Sequence, residues 1–413
     1  MNSPKFRIGP HLAPALLLIA TVVHAEPESL GIVGNPAGVG ALAPALVRMP
    51  GSAGIVMSWL EPHGDGHALK FSIFKDGTFS RPREIARGKD WFANWADTPR
   101  IHVRTDGTWL AHWLEKSAKA PYAYDIQVVH STNAGKRWSP PSTPHTDGTP
   151  TEHGFVSYFP GRDGRTGMVW LDGRETKPTS GDEHAHAGAM TLRTALIGAD
   201  GKAGSERLID RRVCDCCQTA SAVTAIGPIV AYRNRTEDEI RDISIVRRTA
   251  GGWTEPRRVN ADGWQIGGCP VNGPAMIARG TRVIVAWFTM AEGVPRVHLA
   301  ISEDAGESFG EPFTHSPGNA LGRVQLAWTR NGFAAGWMEE RDGSARMRLA
   351  QYSSDGSLES DRVLTRVDRG RVSGFPQIAV FDDHLLVAWT TAADDGKNTK
   401  LTRIATGTMQ LSE

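Results

Sequence analysis

The stretch Met57-Ser58-Trp59-Leu60-Glu61 is the first of seven similar segments that together decide the fold of this chain. In each segment an aromatic residue follows small and aliphatic residues and precedes a polar loop. The seven aromatics are Trp59, Trp113, Trp170, Tyr232, Trp287, Trp337 and Trp389. Successive aromatics lie 54, 57, 62, 55, 50 and 52 residues apart. This regular spacing indicates an internal repeat, and a repeat determines the whole architecture.

A second landmark precedes each aromatic by 13 to 15 residues. Its seven marker residues are Pro44, Pro99, Phe155, Thr219, Pro274, Val324 and Pro376. β-Prone residues and a Gly or Asp turn, such as Thr105-Asp106-Gly107-Thr108, lie between the landmarks and predict a strand, a hairpin turn and a second strand. A third strand such as Asp125-Ile126-Gln127-Val128-Val129 follows, and a short fourth strand completes the unit. Four antiparallel strands in a repeat of about 55 residues predict one blade of a β-propeller.

The repeat therefore predicts an all-β fold, a single domain of seven four-stranded blades over residues 26–413. One blade cannot bury both of its faces alone, so the ring has to close on itself. Two segments could complete the last blade. One runs from Leu30 to Val33 near the start of the chain, and the other from Met409 to Leu411 near its end.

The first 25 residues have the pattern of a signal peptide. Lys5 and Arg7 form the charged start, an apolar stretch runs from residue 12 to residue 23, and Val23-His24-Ala25 offers small residues for cleavage. A membrane anchor is the alternative, but this run is short for a spanning helix, and we expect no later membrane span. The sequence thus predicts a periplasmic or secreted protein in an oxidising compartment.

The composition limits the kinds of partner that we expect for this chain. The formal net charge is +1, and 22% of the residues are charged. A protein that binds nucleic acid usually carries a basic excess, so we expect no nucleic-acid partner. The 45 Gly, 25 Pro and 13 Trp favour many tight turns and large aromatic anchors, which suits an all-β repeat fold.

Two turn sequences give the chain a resemblance to a known family. The segments 302–309 (Ser-Glu-Asp-Ala-Gly-Glu-Ser-Phe) and 131–138 (Ser-Thr-Asn-Ala-Gly-Lys-Arg-Trp) fit the Asp-box pattern Ser-x-Asp-x-Gly-x-x-Trp with one exchange each. Ser354-Asp355-Gly356 is a degenerate third copy. In these segments the chain resembles the sialidase-like propellers with BNR (Asp-box) repeats. The resemblance implies a propeller, and six blades are the alternative to seven because sialidases of this type usually have six.

The resemblance also implies a glycan-directed function, either as an exo-sialidase-type glycoside hydrolase or as a glycan-binding relative. Sialidase chemistry uses three arginines on the substrate carboxylate, a Tyr activated by Glu, and an Asp as acid/base. The usual Phe/Tyr-Arg-Ile-Pro motif is absent, and Thr98-Pro99-Arg100-Ile101 keeps its Arg-Ile pair in a different frame. A solvated rim of ion pairs is the alternative for the charged loop residues. The candidate catalytic residues are Asp97, Arg100, Asp172, Arg174, Arg233, Arg235, Glu339 and Arg341.

Propeller topology places the start of each innermost strand at one mouth of the central channel, where loops tend to carry function. The residues two places before the markers should form a ring there: Leu42, Asp97, His153, Cys217, Asn272, Gly322 and Gly374. His153 and Asn272 are candidate ligand-binding residues of this ring. Trp91, Trp95 and Trp264 in neighbouring loops join them, since flat aromatics stack on sugar rings, although packing between loops explains them equally well.

All four cysteines precede two neighbouring blades, so their sulfurs should lie close together. They are Cys214, Cys216 and Cys217 before blade four and Cys269 before blade five. In an oxidising compartment they predict disulfides, joining Cys214 or Cys216 to Cys269, or forming a vicinal Cys216–Cys217 pair. The alternative is a thiolate site for copper or zinc. His184 and His186 in the long loop of blade three would support it, although a solvated polar loop also explains them.

Three functions therefore stay open. The first is a glycan-directed propeller, the second a periplasmic copper- or zinc-binding protein, and the third an interaction scaffold with structural disulfides. The expected partner is a glycan or a small anionic ligand, and copper or zinc is the one cofactor that the cysteines suggest.

Overall fold

The computed structural model describes residues 30–51, 54–161, 163–178, 186–393 and 401–411, which form seven antiparallel sheets in a ring. The predicted signal peptide over residues 1–25 and His184 lie outside the described residues. In the described ranges the single helical element is a 3-10 turn, Ala291–Gly293. No helix within those ranges is long and apolar enough to cross a membrane.

The strands are numbered in chain order. A first strand, β1 (Gly31–Val33), precedes the blades. Blade one contains β2 (Leu42–Arg48), β3 (Ile55–His63), β4 (Gly66–Lys75), β5 (Thr78–Phe79) and β6 (Arg83–Gly88). Blade two contains β7 (Ile101–Val103), β8 (Trp109–Lys116) and β9 (Tyr124–Ser131). Blade three contains β10 (His153–Pro160), β11 (Thr166–Asp172), the separate ribbon β12 (Lys177–Pro178) and β13 (His186–Ala187), then β14 (Met190–Ile197) and β15 (Arg207–Val213).

The remaining four blades follow the same order. Blade four contains β16 (Ala220–Val223), β17 (Pro228–Arg233), β18 (Ile243–Thr249), β19 (Gly252–Trp253) and β20 (Arg257–Arg258). Blade five contains β21 (Ala275–Arg279), β22 (Arg282–Thr289), β23 (Arg296–Ser302) and β24 (Phe313–His315). Blade six contains β25 (Ala320–Trp328), β26 (Gly332–Arg341), β27 (Ser344–Ser353) and β28 (Leu358–Val367). Blade seven contains β29 (Gln377–Phe381), β30 (His384–Ala393) and β31 (Leu401–Gln410).

Seven blades, not six, make up the ring. The prediction of an all-β, seven-bladed propeller is therefore confirmed. All seven repeated aromatics lie on the second strand of their blades, and each is at most 4% exposed. An aromatic at the same place in every blade packs against the neighbouring sheet, which is why the spacing in the sequence reports the repeat.

The ring closes through the N-terminal strand. β1 pairs antiparallel with β31 and becomes the outermost strand of blade seven, with Gly31 opposite Thr408 and Val33 opposite Thr406. Of the two closures that the sequence left open, the one through Leu30 to Val33 is present. Met409 instead lies near the end of β31, the third strand of that blade.

Each blade junction has its own apolar cluster. Blades five and six, for example, share a cluster that includes Trp337 and Phe288, and blades two and three share one that includes Trp170. One cluster also reaches the axis, where it joins Ala96 and Phe155 to Phe375 of blade seven at the mouth of the channel. Burial between neighbouring sheets therefore supplies the hydrophobic stabilisation, and the axis is left for polar groups.

Two of the junctions also contain the same polar contact. A carboxylate oxygen of Asp97 in blade two accepts the backbone N–H of Phe155 in blade three at 2.8 Å. The amide oxygen of Asn272 in blade five accepts the N–H of Arg323 in blade six, also at 2.8 Å. Phe155 and Arg323 both have positive φ, and each innermost strand is bulged at this point. The preceding glycine in each case leaves room for the accepting side chain.

We expect Gly322→Ala to destabilise the protein by about 1–3 kcal/mol more than Gly343→Ala. Both glycines have positive φ, so both variants carry the same backbone penalty. A Cβ at residue 322 would overlap the side chain of Asn272, whereas nothing lies within 4 Å of a Cβ at residue 343. Urea unfolding of the two variants measures the difference, and equal midpoints would show that this contact does not matter.

Candidate functional site

An axial channel runs through the ring and encloses a cavity of about 270 Å³. The innermost strands of all seven blades, or the residues just before them, line it. Polar side chains dominate one side of the cavity: Arg100, His102, Ser157, Tyr158, Gln218, Thr219 and Ser221. A concave site with several convergent polar groups is the natural place for a small ligand.

Arg100 is the arginine that lines this cavity. Its guanidinium makes no hydrogen bond and no ion pair within 4 Å to any residue that the structure describes. Burial lowers the pKa of Arg100, and the nearby charge of Asp97 acts in the opposite direction. The guanidinium still stays charged at neutral pH, because an arginine loses its proton only under strongly basic conditions. The channel thus contains a positive charge whose donors are not used by the described protein groups.

A loop from blade two covers the upper mouth of the channel, where the innermost strands begin. Trp95 of this loop stacks on Phe375 of blade seven at 5.7 Å between ring centroids, and the guanidinium of Arg323 lies 5.1 Å from the Trp95 ring. The side chain of Gln218 donates to the carbonyl of Ala96 and accepts from the N–H of Gly273. The candidate ligand residue Trp95 therefore forms a roof over the cavity that touches blades across the axis.

The four polar residues of the predicted mouth ring do not line the channel. Asp97, His153, Cys217 and Asn272 are at most 9% exposed and lie in the blade junctions. Their side chains lie between blades instead: Asp97 and Asn272, for example, accept the N–H groups of the bulged strands of the next blades. The expectation that these four residues face the channel is therefore wrong.

A tyrosine and two carboxyl groups meet beside Arg100. The hydroxyl of Tyr124 lies 2.5 Å from Glu152 and 3.1 Å from Asp97. Burial raises the pKa of Asp97 to about 7 and that of Glu152 to about 8. Tyr124 is fully buried, and Phe92 stacks on its ring at 4.2 Å. The sequence reasoning missed Tyr124 and Glu152, because no spacing in the sequence relates the start of β9 to the residue before β10.

A second polar group, here called the histidine cluster, contains Asp125, His145, Asp147, His153 and Asp172. The two imidazoles stack at 3.8 Å between centroids. His153 is fully buried, with Nδ1 at 3.4 Å from Asp125 and Nε2 at 3.3 Å from Asp147 and 3.7 Å from Asp172. Burial alone lowers the pKa of His153. The bonds to Asp125 and Asp147 and the charge of Asp172 outweigh it and raise the pKa to about 10.

Arginines complete the histidine cluster. Arg174 lies 2.7 Å from Asp172 and 3.2 Å from Asp147, and it also pairs with Glu206. Arg193 reaches Glu206 at 3.0 Å. The predicted catalytic residues Asp172 and Arg174 are thus brought together with His153. Their charges are already matched within the cluster.

The other predicted arginines of blade four are also occupied. Arg233 is 1% exposed and donates to the carbonyls of Asn272, Arg241 and Phe288 while its guanidinium covers the Trp264 ring at 4.9 Å. Arg235 pairs with Asp215 at 3.1 Å and with Glu239 at 2.7 Å. Most donors of both guanidiniums are therefore used within the protein, and each residue is held away from the channel.

The remaining predicted site residues lie apart from the channel. Trp91 is buried and stacks on Trp113 at 5.1 Å. Glu339 is buried on β26, where it accepts from Ser316 at 2.6 Å and pairs with Arg348. Arg341 ends the same strand at the surface. His186 lies on β13, and its side chain is outside the described residues, as is the whole of His184.

The four cysteines meet as expected. Cys216 and Cys269 form a disulfide between the loops before blades four and five, which is one of the pairings that the sequence predicted. Cys214 and Cys217 are free and buried, with their sulfurs 3.0 Å apart. The sulfurs of Cys214, Cys216 and Cys269 all lie within 4.8 Å of one another. Cys216 and Cys269 offer no thiolate to a metal while they are joined.

Comparison with known proteins finds only distant structural similarity. No protein-family model and no curated protein matches the chain. Among solved structures it is similar to the NanB sialidase from Streptococcus pneumoniae, with 9% identity over 93% of this chain and 92% of that one and a TM-score of 0.46. It is also similar to the GH93 α-L-arabinofuranosidase of Fusarium graminearum, with 12% identity over 92% and 97% and a TM-score of 0.48.

A third similar structure is a PL25 ulvan lyase bound to a sulfated disaccharide unit, with 10% identity over 77% of this chain and 80% of that one and a TM-score of 0.48. Sialidases are thus among the solved structures to which the chain is similar. At these TM-scores the likeness carries no argument about what this chain binds or catalyses.

We expect the stabilisation by His153 to be lost at high pH. In the folded protein the pKa of His153 is about 10, which exceeds its ordinary value of 6.5. Its contribution to the free energy of unfolding is therefore complete below about pH 6.5 and disappears as the pH rises through about 10. The difference in free energy of unfolding between wild type and His153→Gln should therefore shrink over this window, by an amount on the order of a few kcal/mol. Denaturant titrations at a series of pH values measure it.

His384→Gln on β30 in blade seven serves as the control for general effects of pH. A pH-independent difference for His153→Gln would contradict the protonated state of His153 in the folded protein.

Proposed function

We propose that this propeller is glycan-directed and binds a small acidic ligand, an acidic sugar residue in the first place, in its axial channel. The observation that carries the proposal is the charged Arg100 guanidinium, which lines the cavity without a described protein partner. Among the other arginines that the sequence nominated, Arg174, Arg233 and Arg235 are held by carboxylates or carbonyls. A guanidinium whose donors are unused is ready to bind a carboxylate through two parallel hydrogen bonds.

The cavity fits a ligand of this class in size and polarity. Its volume of about 270 Å³ lies near the lower end of ligand pockets, which favours a single sugar ring over a longer oligosaccharide. Gln218, Ser221 and Tyr158 line the same cavity and offer donors and acceptors for hydroxyl groups. Phe375 also lines the cavity and supplies apolar surface against which a sugar ring can pack.

Two observations favour binding over sialidase-type hydrolysis. Tyr124 and Glu152 form the kind of pair that such hydrolysis needs, but Phe92 covers the fully buried Tyr124 ring. In addition, a three-arginine clamp would need two more guanidiniums beside Arg100, and Arg174, Arg233 and Arg235 are held elsewhere. We therefore propose a binding protein. We also propose a periplasmic or secreted location, from the signal-peptide pattern of the first 25 residues.

We expect Arg100→Gln to weaken the binding of an acidic sugar by about tenfold or more, because a hydrogen bond to a charged group is lost. Isothermal titration calorimetry with N-acetylneuraminic acid and glucuronic acid measures the affinities, and glucose serves as the neutral sugar. Arg211→Gln, an exposed arginine on β15, is the matched control and should leave the affinities unchanged.

Two results would overturn the proposal. One is that the wild-type protein binds neither acidic sugar, and the other is that Arg100→Gln and Arg211→Gln bind them equally well. Hydrolysis of an aryl sialoside that disappears in Tyr124→Phe would replace binding by catalysis as the function of the site.

A further inference from the structure

The four cysteines form two pairs with different access to solvent. Cys214 and Cys217 are 1% and 2% exposed, whereas Cys216 is partly exposed and Cys269 is exposed. The buried pair consists of free thiols and the outer pair is a disulfide. Because the sulfur of Cys214 lies within 4.8 Å of both disulfide sulfurs, the two pairs form one connected cluster.

The surroundings of the buried pair favour a thiolate at Cys214. The guanidinium of Arg241 lies 3.4 Å from the Cys214 sulfur and is itself held by Glu239 at 2.7 Å and Asp215 at 3.4 Å. Burial raises the pKa of Cys214, but the hydrogen bond from Cys217 and the charge of Arg241 outweigh it and lower the pKa to about 6. The pKa of Cys217 is raised well above its ordinary value by burial and by this neighbour. One thiolate and one thiol therefore share a single negative charge.

We propose that this cluster is a redox relay, in which the buried Cys214/Cys217 dithiol exchanges with the surface disulfide Cys216–Cys269. The proposal goes beyond the glycan-directed function and does not depend on it. A thiolate beside a disulfide is the reacting pair of thiol–disulfide exchange, and both partners are present in this chain.

The exchange conserves atoms and electrons within the chain. The Cys214 thiolate attacks one sulfur of the Cys216–Cys269 disulfide, a new bond forms to Cys214, and the other sulfur leaves as a thiolate. Cys217, 3.0 Å from Cys214, then attacks the Cys214 sulfur, and its proton passes to a leaving thiolate. The products are a buried Cys214–Cys217 disulfide and, at Cys216 and Cys269, one outer thiol and one outer thiolate. Two electrons have moved from the buried pair to the surface pair.

The burial of the inner pair gives the relay its role. Buried thiols react slowly with external reagents, so the surface pair is the path by which Cys214 and Cys217 change their redox state. The outer partner would be a disulfide or dithiol in solution, and oxidised glutathione is a suitable probe of this class. Each turnover converts one glutathione disulfide into two glutathione molecules and leaves one more disulfide in the protein.

Trapping the mixed disulfide tests the first step. It uses a variant that keeps Cys216 and Cys269 and can therefore still form the surface disulfide. The protein is incubated at neutral pH, quenched in acid, unfolded, alkylated with N-ethylmaleimide and mapped by peptide mass spectrometry. In Cys217→Ser the second attack is impossible, so we expect a disulfide from Cys214 to Cys216 or Cys269. In the matched Cys214→Ser variant we expect the Cys216–Cys269 disulfide alone, with Cys217 alkylated.

A second measurement tests the route to the surface. With oxidised glutathione, we expect the Cys214–Cys217 disulfide to form at least about tenfold more slowly in the double variant Cys216→Ser/Cys269→Ser than in wild type. Thermal unfolding shows whether the double variant is folded, and the Cys217→Ser experiment decides alone if it is not.

Three outcomes would overturn the relay. They are equal oxidation rates in wild type and a folded double variant, no mixed disulfide in Cys217→Ser, or one copper or zinc per chain that protects all four thiols from alkylation until a chelator removes it. The last outcome would establish the metal site that the sequence left open.

Discussion

The pairing of β1 with β31 is the contact on which the rest of the ring depends. Each blade covers the faces of its two neighbours, so an open ring would leave two sheets uncovered at the break. A strand of three residues closes it, helped by the hydroxyl of Thr406 donating to the Val33 carbonyl and the side chain of Asn35 donating to the Ile404 carbonyl. Because these contacts join residues more than 360 positions apart, the last blade can form only after nearly the whole chain is present.

A closed ring dictates where polar residues go. Junctions between blades are packed with apolar side chains, and the polar atoms inside them must find partners because an unpaired buried group is costly. Arg233 meets this need with three backbone carbonyls, and Asp97 and Asn272 meet it with the N–H groups of bulged strands. Of the arginines that the sequence nominated, Arg100 is the one that lines the axial cavity, and its guanidinium has no such partner among the described residues. A charge without a protein partner on a rigid scaffold is stronger evidence for a ligand site than a charge that is already paired within the protein.

The sequence predicted the fold far better than the site, for a physical reason. Trp59, Trp113 and Trp170 stand at the same place in successive repeats, so their spacing reports blades directly. A site instead depends on distances across junctions and on where a bulge points a side chain, and neither has a period in the sequence. Tyr124 and Glu152 meet although they are 28 residues apart, whereas Glu339 was nominated by its loop and lies on another blade. The cysteines are the exception, because loops that open neighbouring blades must lie side by side.

The relay and the channel share one stretch of backbone. Cys217 belongs to the buried dithiol, and the next residue, Gln218, spans the channel roof from Ala96 in blade two to Gly273 in blade five. Cys214 is tied in turn to Arg233 through its N–H. Exchange would move the covalent link from between blades four and five to within a single loop, so the restraint on the loop that holds Gln218 would differ between the two redox states. Arg100 and Gln218 line the same cavity, so a ligand bound by Arg100 would lie close to Gln218. Ligand binding can be coupled to the redox state only through contacts that differ between the states, and the position of Gln218 is the contact on which we expect such a difference to act.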